Sequence, residues 1–396
     1  MTDRLYYTDP YLTQFEAAVL DVRDAGGRST VVLDRTAFYP SSGGQPFDTG
    51  SLADARVVEV VDGEDGTVLH VIEGPAPAGR VAGRVDWPRR FEHMQQHTGQ
   101  HVLSAAFERL AGVRTVSFHL GSDASTIDLA REVTPTEIAA AEDAANGVIW
   151  EDRSVTIRFV DAAEAAALPL RKESARTGAL RIVEIDGIDV SACGGTHVAR
   201  TGAIGIAVVS SWERFKGGTR LEFRCGVRAL RAHRFLRDTV AAVVRLASVA
   251  PGELAQGIER IQSENKEMKR RAIDLESRLA GHEAGRLAAT AIEAGGIHAV
   301  VSEVPGFEMN GIKTIAQSIT SRPAYVAILW TAATPASVVV ARAAGVALDA
   351  AGLLKALIAK LGGKGGGRPE LAQGTLTATR AQIVEAVNEL LAQGRK

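Results

Sequence analysis

Two short histidine-bearing motifs about a hundred residues apart constrain this chain more than any other feature: His97-Thr98-Gly99-Gln100-His101 and Cys193-Gly194-Gly195-Thr196-His197. The first lies in a helical pattern, Gln95 to Phe107, where i,i+4 spacing sets both imidazoles on one face. The second follows a strand-like run, Leu180 to Val190, and sits on a glycine turn able to fold a thiolate and an imidazole toward one point. Three nitrogens and one sulfur suit tetrahedral zinc, one ion per chain, and fit iron oxygenases or magnesium enzymes poorly. The candidate ligands are therefore His97, His101, Cys193 and His197.

Bland alternatives compete with this reading. Four of the nine histidines fall between His93 and His119, and His93 to His97 is a second His-x3-His, so the first motif alone has two registers. A buried structural thiol is the ordinary alternative for Cys193. A metalloprotease is excluded, because Thr98 follows His97 where His-Glu-x-x-His needs its general base.

The segment Arg181 to Gly205, with Cys193-Gly-Gly-Thr-His197 at its centre, resembles the second half of the editing domain shared by alanyl- and threonyl-tRNA synthetases. His97 to His101 resembles its first half. Upstream, Ala37-Phe-Tyr-Pro-Ser-Ser-Gly-Gly-Gln-Pro-Phe-Asp-Thr-Gly50 is similar to the glycine-rich loop of the small barrel that precedes editing in alanyl-tRNA synthetase. Downstream, Gly362 to Gly374 resembles the motif of the DHH-associated domain that ends the same synthetase. Order and coverage together match the long form of the freestanding AlaX editing family. The resemblance implies a hydrolase that acts in trans, needs no ATP and does not charge tRNA. Where synthetases commonly carry threonine before the second helical histidine, this chain has Gln100. No Asp-His-His sequence occurs, so the terminal module gives no reason to invoke a phosphoesterase.

Composition sets the remaining bounds. With 396 residues, 46% hydrophobic and 23% charged, two to four domains with their own cores are expected rather than disorder. Two cysteines make no disulfide framework, and the polar start Met1-Thr-Asp-Arg has no apolar signal core, so a cytoplasmic protein is expected. The most apolar stretch, residues 324–347, is broken by Pro335 and Arg342 and reads as two strands rather than a membrane span. A net charge of −2 argues against nucleic acid, but eight Lys and Arg between Arg214 and Arg237, against Glu213 and Glu222, leave room for a basic surface or for a merely solvated helix face.

The expected fold is α+β and multidomain. Residues 1–90 alternate short strands with Gly, Asp and Pro turns, as a small β-barrel does. Residues 91–228 hold the metal motifs in a two-layer α/β editing domain. Residues 229–285 are charged and helical; Leu254, Ile258, Ile261, Met268, Leu275 and Leu279 fall on alternating four- and three-residue steps once Asn265 and Ala272 are counted in the same stripe, and Pro251-Gly252 splits the segment, predicting a hairpin or coiled coil that serves as spacer or homodimer contact. Residues 286–396 alternate strands and helices.

The implied reaction is hydrolysis of the ester between a mischarged amino acid and tRNA(Ala), with serine the expected substrate and glycine a further candidate. Four protein ligands saturate zinc, so either zinc orients the aminoacyl end or one ligand is loose and water is activated directly. Gln100, His119 and Thr196 are candidates to position water or ribose. Ser41 and Ser42 are candidates to bind the serine hydroxyl, with Gly43 and Gly44 allowing close backbone approach. The loop Gly362 to Arg368 lacks the Gly-Lys-Ser/Thr of a Walker motif, and Lys364 and Arg368 are its candidate tRNA phosphate partners. A zinc-stabilised tRNA-binding or delivery protein without catalysis is the rival reading.

Overall fold

The computed structural model describes residues 1–25, 28–171 and 179–393. The chain forms two compact units, Met1–Ala242 and Val243–Lys396.

The first unit opens with a closed six-stranded barrel, in spatial order Gln14–Ala25, Arg28–Leu33, Val68–Glu73, Ala55–Asp62, Gly50–Leu52 and Arg80–Val85. Alternation along these strands points Val31, Leu33, Val57, Val60, Val68 and Ile72 inward to a common core. A long helix, Trp87–Ala111, leaves the last barrel strand; Pro88 sits in its first turn and Gly112 ends it at φ +63°. Arg90, fully buried, binds the helix to the barrel: it donates to the Asp48 carboxylate and to the carbonyls of Pro10 and Ala37. A charge placed there without these acceptors would be strongly unfavourable.

Beyond the barrel, a four-stranded antiparallel sheet runs in the order Ala207–Phe215, Gly218–Cys225, Ser125–Leu129, Thr115–Leu120. Its apolar face shares a core with the long helix and with a second helix, Pro135–Trp150, which a Thr134–Glu137 capping box begins. The helix is buried continuously from His93 to Phe107. Gly99 is needed for that packing, because a Cβ there would lie 2.3 Å from Cys225 Sγ.

The expected strand from Leu180 to Val190 is instead a hairpin. Leu180–Ile185 and Asp189–Ala192 pair antiparallel, with Val155–Val160 on the other side of the first. Asp186-Gly187 supplies the turn, with Gly187 at φ +64°.

The second unit begins with the end of helix Gly226–Ala247, a short turn at Pro251–Glu253 and the helix Leu254–Ala288, so the break falls where Pro251-Gly252 predicts it. Ile258, Ile261, Met268, Leu275 and Leu279 are exposed along that helix, whereas Ala280, Ala284 and Leu287 join the core formed with helix Met309–Thr320. A six-stranded mixed sheet follows, ordered Ile292–Ala294, Ile297–Glu303, Tyr325–Trp330, Ala336–Arg342, Leu371–Leu376, Gly363–Arg368. The two strands expected in the apolar stretch are its centre. The glycine run expected to be a loop is the edge strand Gly363–Arg368, exposed along its whole length. Its glycines allow close pairing: a Cβ on Gly367 would fall 2.4 Å from Ala372 Cα. Among the described residues no helix is long and apolar enough to cross a membrane.

Candidate metal centre and active site

The two motifs meet inside the first unit. Ligand atoms of His97, His101, Cys193 and His197 all lie within 4.8 Å of one another. Cys193 Sγ is 3.4 Å from His97 Nε2 and 3.3 Å from His197 Nε2. A tetrahedron with Zn–S near 2.3 Å and Zn–N near 2.05 Å has S···N edges of about 3.5 Å, so the spacing suits zinc. The helix carries His97 and His101 on one face, and the glycine turn after Ala192 brings Cys193 and His197 over it. Gly195 is obligatory in that turn, since a Cβ would lie 2.2 Å from the His97 ring. The register ambiguity resolves as well: His93 is buried on the same helix but outside the cluster.

Each histidine is held from behind. His97 Nδ1 meets Gln45 Oε1 at 2.8 Å, His101 Nδ1 meets Asp189 Oδ2 at 2.7 Å, and His197 Nδ1 meets Thr98 Oγ1 at 3.1 Å. The Thr196 N–H also donates to Gln45 Oε1, at 3.1 Å, which fixes the amide orientation; His97 must therefore carry its proton on Nδ1 and present a bare Nε2. Partners of this kind orient metal-binding imidazoles and set their tautomer.

The electrostatics favour a cation. Burial opposes ionisation of Cys193, but the imidazoles of His97 and His197 and the hydrogen bond with His101 outweigh it and hold the thiol well below its ordinary range. Burial pushes His197 down to about 3, leaving a neutral imidazole. Burial also resists protonation of His101, yet Asp189 and the Cys193 sulfur raise it to about 9. Binding of a metal ion would displace any proton these ligands carry.

Cys193, His97 and His101 line a cavity of about 130 Å³ together with Gly43, Gln100, Thr115, Val116, Ser117, Phe118, Arg171, Ser191 and Ala192. Of the residues singled out in the sequence, Gln100 and Gly43 reach it. Gln100 donates from Nε2 to Ser104 Oγ at 2.8 Å. Thr196 is fully buried and supports Gln45 rather than facing the cavity. His119 is exposed on the strand Thr115–Leu120 and is not among the lining residues. Gly44 fastens the barrel loop to that strand, its carbonyl accepting from Leu120 N–H at 2.9 Å, while Ser41 and Ser42 lie outside the lining. In the second unit, Lys364 and Arg368 are exposed on the glycine-rich edge strand.

Four residues that composition and spacing did not single out complete the site: Gln45, Asp189, Arg171 and Arg181. Arg181 donates to the carbonyls of Tyr7 and Cys193, tying the ligand loop to the start of the chain. Two of the four were within reach of the motifs, Gln45 next to the paired glycines and Asp189 four residues before Cys193. The expected basic surface is thinner than its count, because Arg214, Arg220, Arg224, Arg228, Arg231 and Arg237 each pair with a carboxylate.

Comparison with known proteins agrees with this architecture. The family described as the tRNA synthetases class II (A) matches residues 10–89, the threonyl and alanyl tRNA synthetase second additional domain matches 180–222, and the DHHA1 domain matches 296–393. The alanyl-tRNA editing protein AlaX-L of Pyrococcus horikoshii is 33% identical across 99% of this chain and 98% of its own length. The chain belongs to the AlaX-L family. The alanine–tRNA ligase of Pyrococcus abyssi is 31% identical over 98% of this chain, which spans only 44% of that ligase. The C-Ala domain of Aquifex aeolicus alanyl-tRNA synthetase aligns with 25% of the chain and 93% of its own length, at 21% identity and a TM-score of 0.24. The relative matched along nearly its whole length is thus an alanyl-tRNA editing protein.

Proposed function

We propose that this AlaX-L family member is a cytoplasmic trans-editing deacylase, which hydrolyses the ester joining serine, and secondarily glycine, to the terminal ribose of tRNA(Ala). The observation that carries this reading is the convergence of His97, His101, Cys193 and His197, the first three of which line a cavity large enough for an aminoacyl group and a few waters. The donor set fits one zinc ion per chain, which would supply Lewis acidity or an anchor for the aminoacyl end. The ester is already activated, so the protein need only position water and stabilise developing negative charge.

In this scheme Gln100 lies among the cavity walls to orient the amino acid or the water. Thr196 acts indirectly, through Gln45 and His97. The glycine loop at Gly43 and Gly44 lets the barrel backbone close one side of the cavity. Lys364 and Arg368 would contact tRNA phosphates, which carry affinity but little sequence information. The exposed apolar stripe on Leu254–Ala288 is a surface for homodimer formation.

The test is incubation of purified, zinc-replete protein with Ser-tRNA(Ala), Gly-tRNA(Ala) and Ala-tRNA(Ala), following release of each amino acid. Rapid serine release with alanine spared is the expected result. Binding of all three without turnover would replace this reading with a delivery protein.

A further inference from the structure

Arg171 is the one Lys, Arg, Asp or Glu among the described residues that line the cavity beside the metal cluster. Its backbone N–H donates to Val190 O at 2.9 Å, and its Nε donates to Asp189 Oδ1 at 2.5 Å. The other oxygen of Asp189 accepts from His101 Nδ1 at 2.7 Å and from Ser191 Oγ at 2.9 Å. Asp189 has no exposed side-chain surface, and Arg171 only 14%. The guanidinium is thus tied through Nε to a buried carboxylate that also holds a histidine of the candidate metal cluster.

Two acts are combined in that arrangement. The carboxylate anchors the guanidinium at Nε, so the cation is held at the cavity before any substrate arrives. A rigid cation at the wall of a small, half-enclosed cavity is best matched to charge that develops during reaction. We infer that Arg171 is a catalytic residue whose guanidinium stabilises the oxyanion formed from the ester carbonyl of the bound aminoacyl group. This inference rests on the deacylase reading above.

The step is balanced by water alone. A water oxygen bonds to the ester carbonyl carbon while the π pair moves onto the carbonyl oxygen, which Arg171 meets as an oxyanion. The pair returns as the carbon–oxygen bond to the ribose breaks. One proton from the attacking water passes to the leaving ribose oxygen, and the second leaves the new carboxylic acid for solvent. An arginine suits this role because its planar guanidinium presents several donors in a fixed fork.

The same guanidinium could instead bind a backbone phosphate of the terminal nucleotide, which would strengthen binding without accelerating chemistry. The two are separated by kinetics. Arg171→Ala and Arg171→Gln should retain zinc by elemental analysis and keep KM for Ser-tRNA(Ala) within about twofold, while kcat falls about 100-fold or more, as loss of one oxyanion donor does. Millimolar guanidinium should restore part of the kcat of Arg171→Ala and none of that of a Cys193→Ala control. The glutamine variant carries the test alone if the alanine variant fails to fold. A wild-type kcat in a folded variant, a loss confined to KM, or a loss of zinc would overturn the assignment. Active wild-type protein with equally active variants rejects Arg171 alone; inactive wild-type protein rejects both the deacylase reading and Arg171 with it.

Discussion

Gln45 and Thr196 stand 151 positions apart and meet twice: Gln45 Nε2 donates to Thr196 Oγ1 at 2.8 Å, and Thr196 N–H donates to Gln45 Oε1 at 3.1 Å. Because the same Oε1 accepts from His97, one barrel side chain spans both halves of the metal centre. Both residues are buried, so neither hydrogen bond is easily replaced by water. Gln45→Ala should therefore weaken zinc binding by about 10- to 100-fold, the usual effect of losing an outer partner of a ligand. Competition with a chelator measures it directly; unaltered affinity would mean that His97 needs no support from the barrel.

Metal content separates the two histidine registers. Cys193→Ala and His97→Ala should each lose zinc and deacylation together, since each removes one corner of the cluster. His93→Ala should keep both, because His93 lies outside it. Full zinc by elemental analysis in Cys193→Ala would refute the shared site.

Acid should destabilise the barrel through His70. Burial lowers this imidazole to about 4, and its ring is satisfied in the neutral form by Val31 O and Thr36 Oγ1. The unfolded chain, with an ordinary histidine near 6.5, binds the proton first, so stability is full above that pH and falls as pH drops toward the folded value near 4. At pH 5 the loss from this one group is about 2 kcal/mol. His70→Gln should flatten the fall by that amount in denaturant titrations at pH 7 and pH 5. An identical pH dependence in the variant would place the acid sensitivity elsewhere.

The edge strand of the second unit gives a prediction on affinity. Lys364 and Arg368 are exposed there, and among the described residues neither forms an ion pair. Lys364→Ala with Arg368→Ala should weaken tRNA binding and lower the slope of log affinity against log salt by about one to two units, as lost phosphate contacts do. Zinc content should not change. An unaltered salt slope would remove both residues from the tRNA interface.

What the sequence disclosed and what it hid follow from the range of the interactions involved. His97 and His101 share a helical repeat, and Cys193 and His197 share a glycine turn, so local geometry revealed the candidate cluster. The barrel strands were legible for the same reason, their two-residue alternation being a local signal. Gln45 and Asp189 lay beside the motifs, but their roles, like that of Arg171, depend on contacts across the fold that no spacing records. The glycine-rich edge strand was misread for a different cause. Glycine normally weakens strands, but Gly365 and Gly367 sit where the neighbouring backbone comes too near for a side chain. The arginine cluster after Arg214 looked basic because its carboxylate partners Asp128, Glu132 and Glu92 lie far upstream in sequence.

Those contacts also move the expected source of amino acid specificity. A cavity that merely excludes bulk cannot spare alanine and accept serine, since alanine is smaller; a polar group must be satisfied by the serine hydroxyl and left unpaired by a methyl. Such groups discriminate by roughly 10⁴-fold, against about 10- to 200-fold for one methylene of size. Ser41 and Ser42 do not line the cavity, and the hydroxyls of Thr115, Ser117 and Ser191 already donate to Ser104, Asp128 and Asp189. Gln100 lines it, and its amide nitrogen is occupied by Ser104, which leaves its carbonyl oxygen as the acceptor suited to a serine hydroxyl. Gln100→Met, similar in length but without that acceptor, should narrow the serine-to-alanine ratio of kcat/KM mainly by slowing serine release, with zinc retained. Ser41→Ala combined with Ser42→Ala should leave the ratio within about twofold, since neither residue is among those lining the cavity. If instead the double serine variant loses discrimination while Gln100→Met keeps it, the barrel loop must close over the aminoacyl group when tRNA binds, and the specificity element returns to that loop.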